Sequence, residues 1–350
     1  MARNDNHIPG IAVVGAGYWG KNLVRNFAAT PRASLRCVVD ISPERARRLA
    51  SGYAEVSATS NIEDALSDPA VDGVAIATTA ATHAKLAMRA IEAGKHVLVE
   101  KPLAATVNDG RALVESAEGA GLVLMTDHTF CYTSAVRYIR DLVRSGELGD
   151  FYYLDSVRIS LGLVQPDVDV FWDLAPHDLS ILSFVLPEDI VAVSVAARGT
   201  DPLGIGKPSL GHVSIEYSNG AIAHLHVNWL SPMKVRTMII GGSKKMLVWD
   251  DMKPAQRLSI FDTGVQLDDD PKERHQRLVS YRAGDMVAPA LEEREALARM
   301  VDEFAGAIRA GREALTSGRD GLEVVMLLAA IQKSLNAGGV SVTVNGQEPS

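Results

Sequence analysis

The residues of this chain best suited to chemistry are a few polar groups set in apolar surroundings. In "FWDLAPHDLSIL" (171–182), Asp173 and His177 stand four positions apart. On a helix they share a face, so the carboxylate can orient the imidazole as a general base. Asp173 also suits a helix N-cap, which would put Pro176 in the first turn, where its missing amide hydrogen costs no helical bond. Asp178 has no role that spacing assigns. In "HVLVEKPL" (96–103) an apolar run ends in Glu100, Lys101 and Pro102. Ligands of open α/β sheets lie beyond the carboxyl ends of strands, where Lys101 can hydrogen-bond a carbinol or carbonyl oxygen. Metal ligation by Asp173, His177 and Asp178, with His128 or His83, is the rival reading. No H-E-x-x-H or comparable spacing supports it, so no metal is expected.

A third signal lies upstream. "GAGYWG" places Gly15, Gly17 and Gly20 in G-x-G-x-x-G spacing around Tyr18 and Trp19, and Asp40 follows 20 residues after Gly20. A tight turn, bare backbone for a pyrophosphate and close helix packing each require a glycine, and an acid at that distance binds ribose hydroxyls. NAD(H) is the expected cofactor, because a carboxylate repels the extra phosphate of NADP. Arg45, Arg47 and Arg48, just behind, read as a solvated helix face. Thr78 ends another strand beside the same expected site, and Thr82 and His83 open the next helix.

The elements that must hold these residues follow an α/β rhythm. Apolar runs at 11–15, 34–40, 71–78, 96–100 and 122–126 alternate with helix-period segments at 18–29, 43–51, 83–93 and 107–120. Continuous apolar strands between amphipathic helices predict a doubly wound parallel sheet, a Rossmann domain over 8–127. Beyond a helix at 133–145 the pattern changes to long strands at 151–160, 190–198, 211–218, 221–229 and 235–242, with helices at 291–309 and 320–336. That half, 128–350, is expected to form a second α/β domain that binds substrate. The polar stretch 262–276 reads as a loop.

Composition narrows the partners. The 350 residues are 47% hydrophobic, and 35 basic against 43 acidic residues give a net charge of −8. That balance argues against a broad nucleic-acid or anionic-membrane surface. Only Cys37 and Cys131 are present, the start lacks a basic and apolar signal region, and no run reaches the roughly 20 residues of a membrane span, so a cytoplasmic protein is expected.

"GAGYWG", "THAKLAMRAIEAGKHVLVEKPLA" (82–104), "GLVLMTDHTF" (121–130) and "WDLAPHDL" (172–179) together closely resemble the Gfo/Idh/MocA family of NAD(P)-dependent oxidoreductases. The resemblance implies a C-terminal domain built on a large, mostly antiparallel sheet, and self-association into a homodimer or homotetramer through that sheet. It implies hydride transfer at a sugar or polyol carbon, with Lys101, Asp173 and His177 as the catalytic group. Ala175, Ser180 and Thr79 depart from the common family pattern without removing any of these three. "GYWGKNLVRNF", "DSVRISLGLVQPDVDVFWDLAPHDLSIL" and "HVNWLSPMKVRTMIIGGSKKM" most resemble members acting on nucleotide sugars, at carbon 3 of a UDP-N-acetylhexosamine or its uronate. A diphosphate needs cations, for which Arg158, Lys234 and Arg236 are candidates. His128, at a strand end, is a further substrate-facing candidate, and 162–170 is expected to shape the sugar pocket. Alternatives are an inositol or free-sugar dehydrogenase, a keto-sugar reductase, and a non-catalytic NAD-binding regulator.

Overall fold

The computed structural model describes residues 7–162, 164–165, 168–262, 264–266, 280–282 and 284–344. The stretch 262–276 and part of 162–170, to which the sequence assigned loop roles, therefore lie largely outside the described residues. The chain divides into two compact units, one of residues 1–133 and 293–326, the other of 134–292 and 327–350.

The first unit carries the parallel sheet. Strands β1 (Gly10–Val14), β2 (Ser34–Val39), β3 (Ser57–Thr59), β4 (Gly73–Ile76), β5 (His96–Glu100) and β6 (Leu124–Asp127) lie in the order β3-β2-β1-β4-β5-β6, every pair parallel. Strands β1, β4 and β5 are buried at every position, which is why they read as unbroken apolar runs. Helices α1 (Tyr18–Ala29), α2 (Pro43–Ala50), α3 (Ile62–Leu66), α4 (Ala80–Glu92) and α5 (Val107–Gly119) alternate with them. Their starts are written locally: the Ser42 hydroxyl accepts from the Arg45 amide ahead of Pro43, and the Thr106 hydroxyl accepts from the Asp109 amide.

A sequence boundary at 127/128 misses the return of residues 293–326 to this unit. Helix α8 (Ala296–Ala310, numbered after α6 and α7 of the second unit) packs on α1, with Phe304 edge-on to Phe27 at 6.4 Å. Apolar periodicity shows that such a helix has a buried face without showing which sheet it covers.

In the second unit, α6 (Ser134–Arg144) precedes β7 (Phe151–Leu161) and α7 (Val170–Val185). Then come β8 (Ala192–Thr200), β9 (Leu210–Tyr217), β10 (Ile222–Asn228), β11 (Leu230–Gly242), β12 (Met246–Asp250) and β13 (Leu258–Phe261). Their order in the sheet is β13-β12-β11-β7-β10-β9-β8, flanked by two-residue strands Met286–Val287 and Val342–Thr343, and among these pairs only β7 with β10 is parallel. Ala223, Leu225 and Val227 of β10 are buried on the face that α7 covers. The alternate residues turn to the open face, where His212 and His226 stack at 4.3 Å and His224 meets Asp155 at 3.2 Å. Strands β12 and β13 were not anticipated. Among the described residues, no helix is long and apolar enough to cross a membrane.

Candidate active site

Two glycines of the first loop answer steric demands, and the third leaves open backbone. Gly15 has φ 102°, and its amide donates to the Val39 carbonyl at 2.7 Å. A Cβ added at Gly20 would lie 1.7 Å from the Gly15 carbonyl oxygen, whereas one at Gly17 would meet nothing within 4 Å. Helix α1 starts at this open backbone with no side-chain cap, leaving its N-terminal amides directed at whatever lies beyond. Tyr18 is 78% exposed and stands edge-on to Trp19 at 5.7 Å.

Asp40, one residue past β2, accepts from the Ala16 amide at 2.7 Å and the Ser42 amide at 2.9 Å. Burial pushes its carboxyl up, but the two amides and the adjacent Arg45 guanidinium outweigh that and hold it below the usual carboxylate range. Arg45 is thus no bare solvated residue. Its guanidinium pairs with Asp40 at 2.9 Å, because the first turn of α2 brings position 45 back over the strand end. The open Gly17 backbone, the uncapped helix start and an ionised Asp40 fit a dinucleotide, with Gly15, Gly17 and Gly20 cradling its phosphates and Asp40 its ribose.

At the neighbouring strand ends, Lys101 follows β5 and is partly exposed, and its peptide bond to Pro102 is cis. Glu100 is buried and faces Asp127, its register partner on β6. His83 is also buried, its Nδ1 2.8 Å from the Pro102 carbonyl and its Nε2 3.2 Å from the Thr78 carbonyl. Burial lowers its pKa, so the ring is neutral and can donate to only one carbonyl at a time. Between the two strand ends it acts as a brace. The Thr78 hydroxyl, in turn, lies 2.7 Å from that of Thr82. His128, read as substrate-facing, is buried within this unit, and neither ring nitrogen has a hydrogen-bond partner among the described residues. Burial, with Lys101 adding to it, lowers its pKa to about 3.

In the second unit, α7 begins earlier than the sequence reading placed it. Asp169 is the N-cap, its carboxylate accepting from the Phe171 and Trp172 amides at 2.9 and 3.0 Å. Asp173 therefore sits within the first turn, and Pro176 lies beyond it, leaving the Trp172 carbonyl without an i+4 amide. Freed from capping, Asp173 accepts instead from the indole Nε1 of Trp229 at 3.0 Å. His177, one turn on, is partly exposed. Sequence reasoning missed Trp229, for which only the alternation of β10 into β11 offered a signal.

Arg158 was assigned to a diphosphate and Asp178 to nothing, yet the structure joins them. Alternation along β7 turns Arg158 to the face α7 covers, where its Nε and Nη2 donate to Asp178 at 3.0 and 2.6 Å, both residues buried. It is a structural partner of Asp178 and not an accessible cation. Of the other candidates, Lys234 is exposed and Arg236 pairs with Asp251 at 3.2 Å. Among the described residues, no group of three or more His, Cys, Asp or Glu is placed to hold a metal ion.

Comparison with known proteins bears on the fold and the cofactor class. Residues 10–128 match the model of an oxidoreductase family with an NAD-binding Rossmann fold, and residues 136–248 match the C-terminal domain of the GFO/IDH/MocA family. A 1,5-anhydro-D-fructose reductase from Ensifer adhaerens is 33% identical over 202 residues, 54% of this chain and 60% of that protein. A UDP-N-acetylglucosamine 3-dehydrogenase from Acidithiobacillus ferrooxidans is 29% identical over 336 residues, 91% of this chain and 94% of that protein. A solved structure under the same description, from the same organism, superposes with a TM-score of 0.79 at 26% identity, covering 94% of this chain and 97% of that one. With residues 10–128 and 136–248 matched, more than half of its length, the chain belongs to the Gfo/Idh/MocA family of NAD-binding oxidoreductases.

Proposed function

We propose that this chain is a sugar oxidoreductase interconverting a secondary alcohol and a ketone, at carbon 3 of a nucleotide-linked N-acetylhexosamine or its uronate. Bound NAD supplies the hydride acceptor, and NADH the donor in reverse. Gly15, Gly17 and Gly20, with the start of α1, hold the phosphates of that cofactor, Asp40 and Arg45 its ribose, and Tyr18, Trp19 and Thr78 border it.

The chain's own residues handle the proton and the developing charge. His177 takes the proton of the substrate hydroxyl, and Asp173 holds the ring and stabilises the imidazolium. Lys101 donates a hydrogen bond to the substrate oxygen as negative charge grows on it. Lys234 and Arg236 are the remaining candidates to meet a diphosphate. The open face of the second sheet pairs with another copy of the chain.

The observation that carries the acid–base assignment is the anchoring of Asp173 by Trp229, one turn before His177, on a helix that Asp169 caps. The nucleotide-sugar assignment is supported by likeness to the 3-dehydrogenase along nine-tenths of the chain. A second reading, reduction of a keto-sugar, is favoured by likeness to the anhydrofructose reductase. It uses the same residues, with His177 returning the proton.

The test is a substrate screen followed by NADH absorbance, setting UDP-N-acetylglucosamine and its uronate against free sugars and inositols, with keto-sugars and NADH in reverse. Turnover confined to free polyols sinks the nucleotide-sugar reading.

A further inference from the structure

We propose that Glu100 and Asp127 share a single proton, and that the one negative charge left on the pair positions Lys101 and balances its ammonium. The proposal rests on the assignment of Lys101 to the substrate oxygen.

Glu100 and Asp127 are the last residues of adjacent parallel strands, paired in register. Side chains at paired positions of a parallel sheet point to the same face, so the two carboxyls meet. They are 7% and 1% exposed. Asp127 Oδ1 accepts from the Thr129 hydroxyl at 2.5 Å, while Asp127 Oδ2 and Glu100 Oε2 have no hydrogen-bond partner among the described residues. Two ionised carboxylates cannot stand side by side in such an interior, because each raises the other's proton affinity and burial raises both. Burial and the facing carboxyl indeed push Glu100 well above the usual carboxylate range. Burial also raises Asp127, while the hydrogen bond from Glu100 pulls it back. One proton is therefore held between the two carboxyls.

Lys101 follows Glu100 directly and lowers the proton affinity of both carboxyls. His128 is neutral, and burial keeps the Tyr132 phenol protonated. Lys101 is thus the cation to which the shared charge answers, from two rigid strand ends.

Charge-conserving variants make the test. Glu100→Gln leaves Asp127 ionised, Asp127→Asn leaves Glu100 ionised, and each keeps the single charge; the double variant removes it. Infrared spectra of the NAD-free protein at neutral pH should show the C=O stretch of a buried protonated carboxyl, lost in either single variant. In kinetics, each single variant should lose kcat several-fold with KM little changed. The double variant, in which the shared charge is gone, should lose at least about tenfold more in kcat than either single variant, again with KM little changed.

No such band in the wild type, or a band that survives in both single variants, overturns the shared proton. A double variant no slower than the single variants overturns the role towards Lys101. Should the double variant fail to fold, the wild-type and single-variant spectra still decide the shared proton. Lys101→Ala retaining full turnover would instead sink the catalytic assignment of Lys101, and the infrared result would stand apart from it.

Discussion

The indole N–H of Trp229 reaches from the turn between β10 and β11 to the Asp173 carboxylate on α7, 56 positions earlier, at 3.0 Å. Trp229 is buried, so its ring also packs. Trp229→Phe keeps an aromatic ring and removes the donor. The expected result is a fall in kcat of about tenfold with KM little changed, and a stability loss of about 1–3 kcal/mol from the lost hydrogen bond and the smaller buried ring. Steady-state kinetics beside a denaturant melt separate the two, and an unchanged kcat would mean that Asp173 needs no anchor.

Arg158 and Asp178 form a buried ion pair. Removing one partner strands a charge, so Arg158→Ala or Asp178→Ala should each destabilise by about 3–5 kcal/mol. An Arg158→Met, Asp178→Leu double variant should recover most of that loss. Urea unfolding monitors both effects, and additive losses in the double variant would refute the pairing.

The glycines of the first loop should separate fold from binding. Alanine at Gly20 collides with the Gly15 carbonyl, while alanine at Gly17 meets open space. Gly20→Ala should displace the loop, lower the melting temperature and weaken NAD binding by at least about tenfold, or 1.4 kcal/mol. Gly17→Ala should melt like the wild type and lose affinity only. Calorimetry against NAD, with thermal melts, distinguishes them.

His128 makes the fold acid-sensitive in a defined window. Its pKa falls from 6.5 in the unfolded chain to about 3 in the folded one. The neutral ring's contribution is therefore complete above pH 6.5 and disappears as pH falls towards 3, by at most about 1.4 kcal/mol per pH unit. His83, also depressed, adds in the same direction. His128→Leu should flatten the decline between those limits, as measured by denaturant unfolding across pH.

Glu100 works in the opposite sense. Its folded pKa lies above 4.5, so the stability tied to its protonated form is full below 4.5 and is lost as pH rises through the folded value. Glu100→Gln should gain stability over the wild type at neutral pH and match it in acid.

What was legible in the sequence was local. The glycine spacing, Asp40 at the end of β2, Lys101 at the end of β5 and the four-residue step from Asp173 to His177 are short-range patterns that strand and helix periods interpret directly. The helix start was not legible, because acids stand at both 169 and 173 and either can cap. Arg158 read as a free cation because its partner Asp178 lies on another element. Trp229 and Asp127 gain their roles through tertiary register, and 293–326 joins the first unit through packing that periodicity does not specify.

The central claim is hydride exchange between NAD and a sugar carbinol, with Lys101 and His177 acting on the oxygen and its proton. Its most direct test is NADH formation from NAD and UDP-N-acetylglucosamine or its uronate by the wild type, Lys101→Ala and His177→Ala. The account predicts turnover by the wild type and a loss of at least about 100-fold in each variant. Variants within a few-fold of the wild type, or NAD bound tightly with no turnover of any sugar in either direction, would contradict it.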